Sequence, residues 1–235
     1  PKTLLSLKDT IMLKFYFHPT PNPMKVALFL AESGLEYEVI AVDTRKGEQH
    51  SPDFRQINPN AKVPAIDDNG TIVFDSNAIL LYLAEKTGQF LVKEEDRGQL
   101  LSWLMFIASG LGPYSGQAVH FQHAAPEKSP YAINRYRREA QRHYQILDDR
   151  LADREFIVGG TYSIVDIAAW GWIDKVIPVL GEGELEHYPN LKRWFQTVDA
   201  RPAVAKARNV GSDISFKSDV DEETKRALFP QNYPS

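Results

Sequence analysis

A chain of 235 residues that is 43% hydrophobic, 25% charged and 11% aromatic has the composition of an ordinary soluble globular protein, with enough apolar material to build a core. Its net charge of −4 divides evenly, −2 on either side of residue 91, which argues against nucleic acid as a partner, and no apolar run approaches the ~20 residues of a membrane span. Cysteine is absent, which excludes disulfide frameworks, thiolate zinc sites, Cys-x-x-Cys redox pairs and a cysteine nucleophile, so any thiol chemistry must take its sulfur from a ligand.

Residues 1–11 lack the long apolar core of a signal peptide, and a cytoplasmic address is the expectation. Met12 reads as a natural start, with residues 1–11 as an extension and an ordinary N-terminal arm as the alternative. Leu13–Phe17 is a short β-type run, followed by the turn His18-Pro19-Thr20-Pro21-Asn22. Asn22 is placed as the N-cap of a helix with Pro23 at its first position, Val26, Phe29 and Leu30 on its apolar face, and Gly34 as its stop. Residues 36–43, with Tyr37, Val39, Ile40 and Val42, read as a second strand. The β–turn–α–β order favours a parallel pair with a right-handed crossover.

A polar stretch over residues 44–60 contains a short helical candidate at 51–57. Two apolar runs, 62–66 and 71–74, flank Asn69-Gly70, a strong hairpin signal. Asp75-Ser76-Asn77 caps a helix over residues 78–87 that ends at Gly88. From about residue 94 onward no strand pattern occurs. Helices are predicted over 99–108, where Gly110, Gly112 and Pro113 are expected to bend or break the run, over 131–151, after the Ser163-Ile164-Val165-Asp166 capping box, and over 188–197 and 202–208. The tail after Gly211 is expected either to wrap the surface or to fray. The organisation is therefore an N-terminal extension (1–11), a thioredoxin-like α/β domain (12–90), an all-α domain (97–210) and a C-terminal tail (211–235).

Chemistry concentrates where the first strand meets the first helix. Ligands in α/β units bind beyond the carboxyl ends of strands, and a helix N-terminus presents unpaired N–H groups and a partial positive charge. A free thiol with a pKa near 8.5 is only about 3% ionised at pH 7, and lowering that value by two units takes about 2.7 kcal/mol. The helix end together with one or two donors to a charged acceptor, at ~1.5–3 kcal/mol each, can supply that. Thr20 and Asn22 are two such donors, although capping and turn formation also explain them. Asp75 and Ser76 at the next helix start can take an ammonium and an anion or simply cap the helix, and Val63-Pro64 exposes backbone polar groups if its bond is cis. His120 and His123 stand three apart with no evident third ligand, so no metal site is expected. Tyr114, Gln117 and His120 are candidates for a pocket wall, and the basic run Arg135, Arg137, Arg138, Arg142 reads by itself as a solvated face. No phosphate loop, nucleophile elbow or carboxylate pair is present.

Taken together, Thr20-Pro21-Asn22, Lys46-Gly47-Glu48-Gln49, the run Asn58 to Ile66, the run Asp75 to Gly88, Tyr131 to Tyr136 and the Gly160–Asp166 segment resemble the cytosolic glutathione transferases over roughly residues 12–210. The resemblance is strongest to the bacterial Nu class of glutathione-dependent disulfide-bond reductases. It implies a glutathione transferase fold, a homodimer, and one or two glutathiones per site. It also implies a cis Val63–Pro64 bond gripping the cysteinyl part of glutathione, with Asp75 and Ser76 on the γ-glutamyl end and Gln49 and Lys62 on a carboxylate. Thr20 and Asn22 take the place of the activating side chain of other classes, and Arg135 reaches the second glutathione. Asp75 departs from the Glu found in many relatives. The implied activity is disulfide reduction through bound glutathione thiolate on a small-molecule disulfide or electrophile. Conjugation or thioether cleavage, and a non-enzymatic glutathione-binding regulator, are the alternatives.

Overall fold

The computed structural model describes residues 12–233; the expected extension at 1–11 lies outside the described residues. Every strand falls near the N-terminus: β1 Leu13–Phe17, β2 Tyr37–Ala41, β3 Ala65–Asp68 and β4 Thr71–Phe74, arranged β2-β1-β3-β4. β1 runs parallel to β2, with Phe15 opposite Val39, and antiparallel to β3, with Phe15 opposite Ile66. β3 and β4 form the expected hairpin, with Asn69 and Gly70 both at positive φ, as a two-residue turn of that hand requires. This is the thioredoxin-like sheet expected from the β–α–β, ββα order. The period-2 alternation of β1 sends Leu13, Phe15 and Phe17 into the core.

Three helices belong to this unit: α1 Pro21–Ser33, α2 Pro52–Ile57 and α3 Ser76–Thr87. α1 starts two residues earlier than predicted. Thr20 is its N-cap residue, extended at φ −127°, and Pro21 sits in the first turn. Pro21 is already restricted to a helical φ and its missing N–H is no loss there, so Asn22 lies inside the helix and its side chain is available for other partners. α1 ends at Gly34, at φ 72°, and α3 at Gly88, at φ 69°, both in the left-handed conformation that glycine adopts without strain.

The remaining elements are helical: α4 Arg97–Phe106, α5 Gly112–Val119, α6 Pro130–Arg150, α7 Ile164–Ile173, α8 Val176–Leu180, α9 Pro189–Asp199, α10 Pro202–Arg208 and α11 Glu222–Leu228. The anticipated break near Gly110 does not occur. Instead α4 continues through a π-helical stretch, Ile107–Leu111, into α5. Pro113 falls in the first turn of α5, just after the π-helical stretch, and Gly110 leaves room for the His143 ring of α6, which a Cβ would overlap. α7 is buried along its whole length. It packs against α1, α3, α4 and α9, while α10 packs on α1. Asp166, in the first turn of α7, is its one charged residue, and Val26 to Leu30 of α1 are all 1% exposed or less. The tail wraps the surface over its described residues, 211–233. It returns across the sheet end, where Lys217 N–H donates to Asp43 and Arg45 donates to the carbonyls of Lys217 and Ser218. Among the described residues no helix is long and apolar enough to cross a membrane.

Candidate functional site

A cavity of about 840 Å³ opens where β1 hands over to α1. Its floor is Thr20, Pro21, Asn22 and Lys25 of the α1 start, Lys62, and Asp75 and Ser76 of the α3 start. Its far wall is Ile107 and Ala108 of the π-helical stretch and Gly112, Pro113, Gly116 and Gln117 of α5, with His120 and Trp172. Two helix N-termini therefore face one space, a setting that favours bound anions.

Thr20 makes no side-chain capping bond to its own helix. Thr20 thus holds the N-cap position through its backbone alone and Asn22 lies inside the helix, so neither side chain caps α1, and both residues line the cavity. Asn22 Oδ1 accepts from Trp172 Nε1 at 3.1 Å. Asp75, held at φ 71°, caps α3 by accepting from Asn77 N and Ala78 N on Oδ1. Its capping reading is the one seen, and the residue is exposed at the cavity edge. Ser76, 4% exposed, stands behind it. The Val63–Pro64 bond is cis, as the resemblance implied, next to Lys62 in the lining.

Lys25 carried no signal in the sequence, where it reads as one polar position on an amphipathic helix. It is 1% exposed, and its Nζ donates to Ser76 Oγ at 3.3 Å. Burial pulls its ammonium down from the ordinary lysine range to about 7, against the attraction of Asp75. In the unfolded chain the lysine stays protonated to about pH 10.4, so between those values the folded state holds fewer protons and this group's contribution to stability rises with pH. Below pH 7 the charge is present in both states and the full burial penalty applies. Lys25→Met is therefore expected to be more stable than wild type at pH 6–7, by a few kcal/mol, with the gap closing toward pH 10. Melting temperatures of the two proteins across that range check the sign. A gap that widens with pH would overturn the assignment.

Other expected site residues are placed differently. Gln117 and His120 line the cavity, and burial lowers the His120 ring below the usual histidine value, leaving it neutral at neutral pH. Tyr114 does not line it. It lies on another face of α5 from Pro113 and Gln117, which share one face at i and i+4, and packs its ring near Tyr136 and His143. Arg135 lies on the exposed face of α6, paired with Glu139 at 3.0 Å, outside the cavity of this chain. Gln49 is buried, with its amide donating to the Ala227 carbonyl of the tail at 3.1 Å, and it is absent from the cavity lining. His123 turns to the Pro178 carbonyl, and among the described residues no three His, Asp or Glu side chains are grouped to hold a metal.

The tail contributes what the sequence reading missed. Leu228, Phe229, Gln231 and Asn232 close one side of the cavity, with the Phe229 ring edge-on to His120 at 4.6 Å. The signal was present: Asp221 caps Thr224, acidic residues fill the first turn of α11 and Lys225 and Arg226 fill its last.

Comparison with known proteins places this geometry. The glutathione S-transferase N-terminal domain family matches residues 12–85 and the glutathione S-transferase C-terminal domain family residues 81–202. Over 204 residues the chain is 46% identical to the disulfide-bond oxidoreductase YfcG of Escherichia coli, covering 83% of this chain and 94% of that protein. Over 218 residues it is 38% identical to disulfide-bond oxidoreductase YghU of the same organism, covering 84% and 74%. The crystal structure of a glutathione transferase homolog from Lodderomyces elongisporus, with two GSH per subunit, superposes with a TM-score of 0.80 at 33% identity, covering 85% of this chain and 98% of that one.

Proposed function

The chain belongs to the glutathione transferase family, and from that premise we propose that it is a glutathione-dependent disulfide-bond reductase that takes both of its thiols from glutathione. The observation that carries the reading is the pair Thr20 and Asn22 at the start of α1, lining a cavity in a chain with no cysteine. A protein thiol cannot form the mixed disulfide here, so the attacking sulfur must be a ligand's.

The γ-glutamyl end of glutathione lies at Asp75 and Ser76, with the buried Lys25 ammonium behind Ser76 favouring its carboxylate. The cysteinyl part lies against Val63–Pro64, and Lys62 reaches a carboxylate. Gln49 serves the same end of the peptide only when it exchanges the Ala227 carbonyl for it. Thr20 and Asn22 donate to the sulfur and, with the positive end of α1, hold it as thiolate. That thiolate attacks one sulfur of a small disulfide RSSR, forming GS–SR and releasing RS⁻, which leaves as the thiol after taking a proton. A second glutathione thiolate attacks the glutathionyl sulfur of GS–SR, forming glutathione disulfide and releasing the other RS⁻. The rate follows the thiolate fraction and its access. The cavity accepts the second peptide beside Gln117 and His120, and Arg135 serves it only across a homodimer interface, which we propose as the assembly, in the cytoplasm.

The test is turnover of a small hydroxyalkyl disulfide by the purified protein with glutathione. Reduction well above the uncatalysed exchange is the expected result. Conjugation or thioether cleavage without disulfide reduction would replace this reading with one of the other glutathione chemistries, and glutathione binding without any turnover would point to a binding protein.

A further inference from the structure

We propose that Trp172 is the positioning residue for Asn22. By donating its indole N–H to the amide oxygen, it leaves the amide NH2 as the group that Asn22 presents to the bound sulfur. The inference rests on the reading of Asn22 as a donor to glutathione thiolate. An asparagine amide offers two donors at one end and an acceptor at the other, and only the donor end stabilises a thiolate. Turned the other way, Asn22 would set an oxygen against the sulfur and raise its pKa. Nothing within α1 selects the orientation, because Asn22 is not a cap and its oxygen takes no bond from its own helix. The selecting contact comes from 150 residues away: Trp172 Nε1 to Asn22 Oδ1, 3.1 Å.

The fold holds that indole in place from three sides. Gly112 and Gly116 of α5 form its slot: a Cβ on Gly112 would stand 2.9 Å from Nε1, and one on Gly116 3.4 Å from the ring. Gly171 lets α7 lie against the first turn of α1, since a Cβ there would stand 2.8 Å from the Pro21 carbonyl. The Trp172 carbonyl is tied by the Tyr144 hydroxyl at 3.4 Å, and the ring is 8% exposed. Three glycines therefore serve one contact, which couples the helical part of the chain to the ionisation of a ligand held on the α/β part.

The test is Trp172→Phe, which keeps an aromatic ring in the slot and removes the N–H. The readout is the pKa of the glutathione thiol bound to the protein, titrated by thiolate ultraviolet absorbance, with KM and kcat measured alongside. We expect the thiol pKa to rise by about one unit and turnover to fall about threefold at pH 7 and close to tenfold near pH 5.5, because one donor to a charged group is no longer held in place. KM for glutathione is expected to stay within about threefold, since the remaining binding groups are untouched. In an Asn22→Ala background the same change is expected to do nearly nothing. Gly112→Ala keeps the indole and displaces it; it is expected to move the thiol pKa in the same direction, and it carries the test should Trp172→Phe fail to fold. A wild-type thiol pKa and turnover in a folded Trp172→Phe protein would overturn the proposal and leave the disulfide-reductase reading standing. Absence of both thiolate and turnover in the wild type would overturn the two together.

Discussion

Replacing Thr20 and Asn22 together by alanine is expected to lower kcat/KM for glutathione-dependent disulfide reduction at pH 7 by roughly 10- to 30-fold, with glutathione still bound. The size follows from the ionised fraction of the thiol. A hydrogen bond to a charged acceptor contributes about 1.5–3 kcal/mol, and each ~1.4 kcal/mol is tenfold in ionisation. Two donors lost from one thiolate therefore cost about 3–6 kcal/mol, at least the ~2.7 kcal/mol of a two-unit lowering, so the thiol returns toward a pKa of about 8.5 and is only about 3% ionised at pH 7. Single substitutions are each expected to cost about tenfold. KM for glutathione is expected to change little, because Lys25, Lys62, Asp75 and Ser76 line the cavity independently of the two alanines. The steady-state constants of the three variants check this, with the pH dependence of kcat/KM as the second readout. The profile's lower limb is expected to move to higher pH as the thiol becomes harder to ionise. Unchanged turnover in the double variant would show that Thr20 and Asn22 do not act on the sulfur.

The difference between Asn22 as a cap and Asn22 as a donor marks where the sequence stops being sufficient. Asn-Pro at a helix start is a good local capping signal, and the preceding Pro21 is an equally good first helical residue. Local chemistry leaves the two starts nearly degenerate. The helix starts at Pro21, and the partner that Asn22 then finds, Trp172 on α7, lies in no window around residue 22. Where the determinant is local, the reading succeeds: the Asn69-Gly70 hairpin, the glycine stops at 34 and 88, and the Ser163–Asp166 box all occur as expected. Lys25 fails in the other direction. Its helical position is unremarkable, and its burial is set by the Gly171 backbone that admits its side chain. Tyr114 stands off the cavity on another face of α5, against Tyr136 and His143, and the Gln49 amide is taken by the Ala227 carbonyl of α11, contacts set by segments far along the chain. Arg135 stands on the exposed face of α6, outside the cavity. Motifs thus placed the cavity, while the orientation of the groups inside it came from packing between distant segments.

Asp166→Ala is expected to destabilise the protein by about 3–5 kcal/mol, the scale of breaking a fully buried hydrogen-bonded charge. Asp166 is 0% exposed. Its Oδ2 accepts from Ser163 N at 3.0 Å and Ser163 Oγ at 3.3 Å, closing the capping box of α7. Its Oδ1 accepts from Ile157 N at 3.1 Å and from Trp194 Nε1 of α9 at 2.8 Å. One carboxylate thereby satisfies a helix start, the loop before it and an indole that is itself 0% exposed. Alanine removes every acceptor at once and leaves those donors buried, at about 1–3 kcal/mol for each one that finds no replacement. At ~2–4 °C per kcal/mol for a chain of this size, the melting temperature is expected to fall by about 10 °C or more. The loss is expected to stay away from the site well below the melting temperature, because Trp172 stands at the far end of α7 from Asp166 and is held there by Gly112, Gly116 and the Tyr144 hydroxyl. The bound thiol pKa is therefore expected to remain near the wild-type value in folded Asp166→Ala. Calorimetry and the thiolate titration on the same protein check both effects. A drop in melting temperature of less than about 3 °C would mean that Asp166 is not the acceptor holding the start of α7.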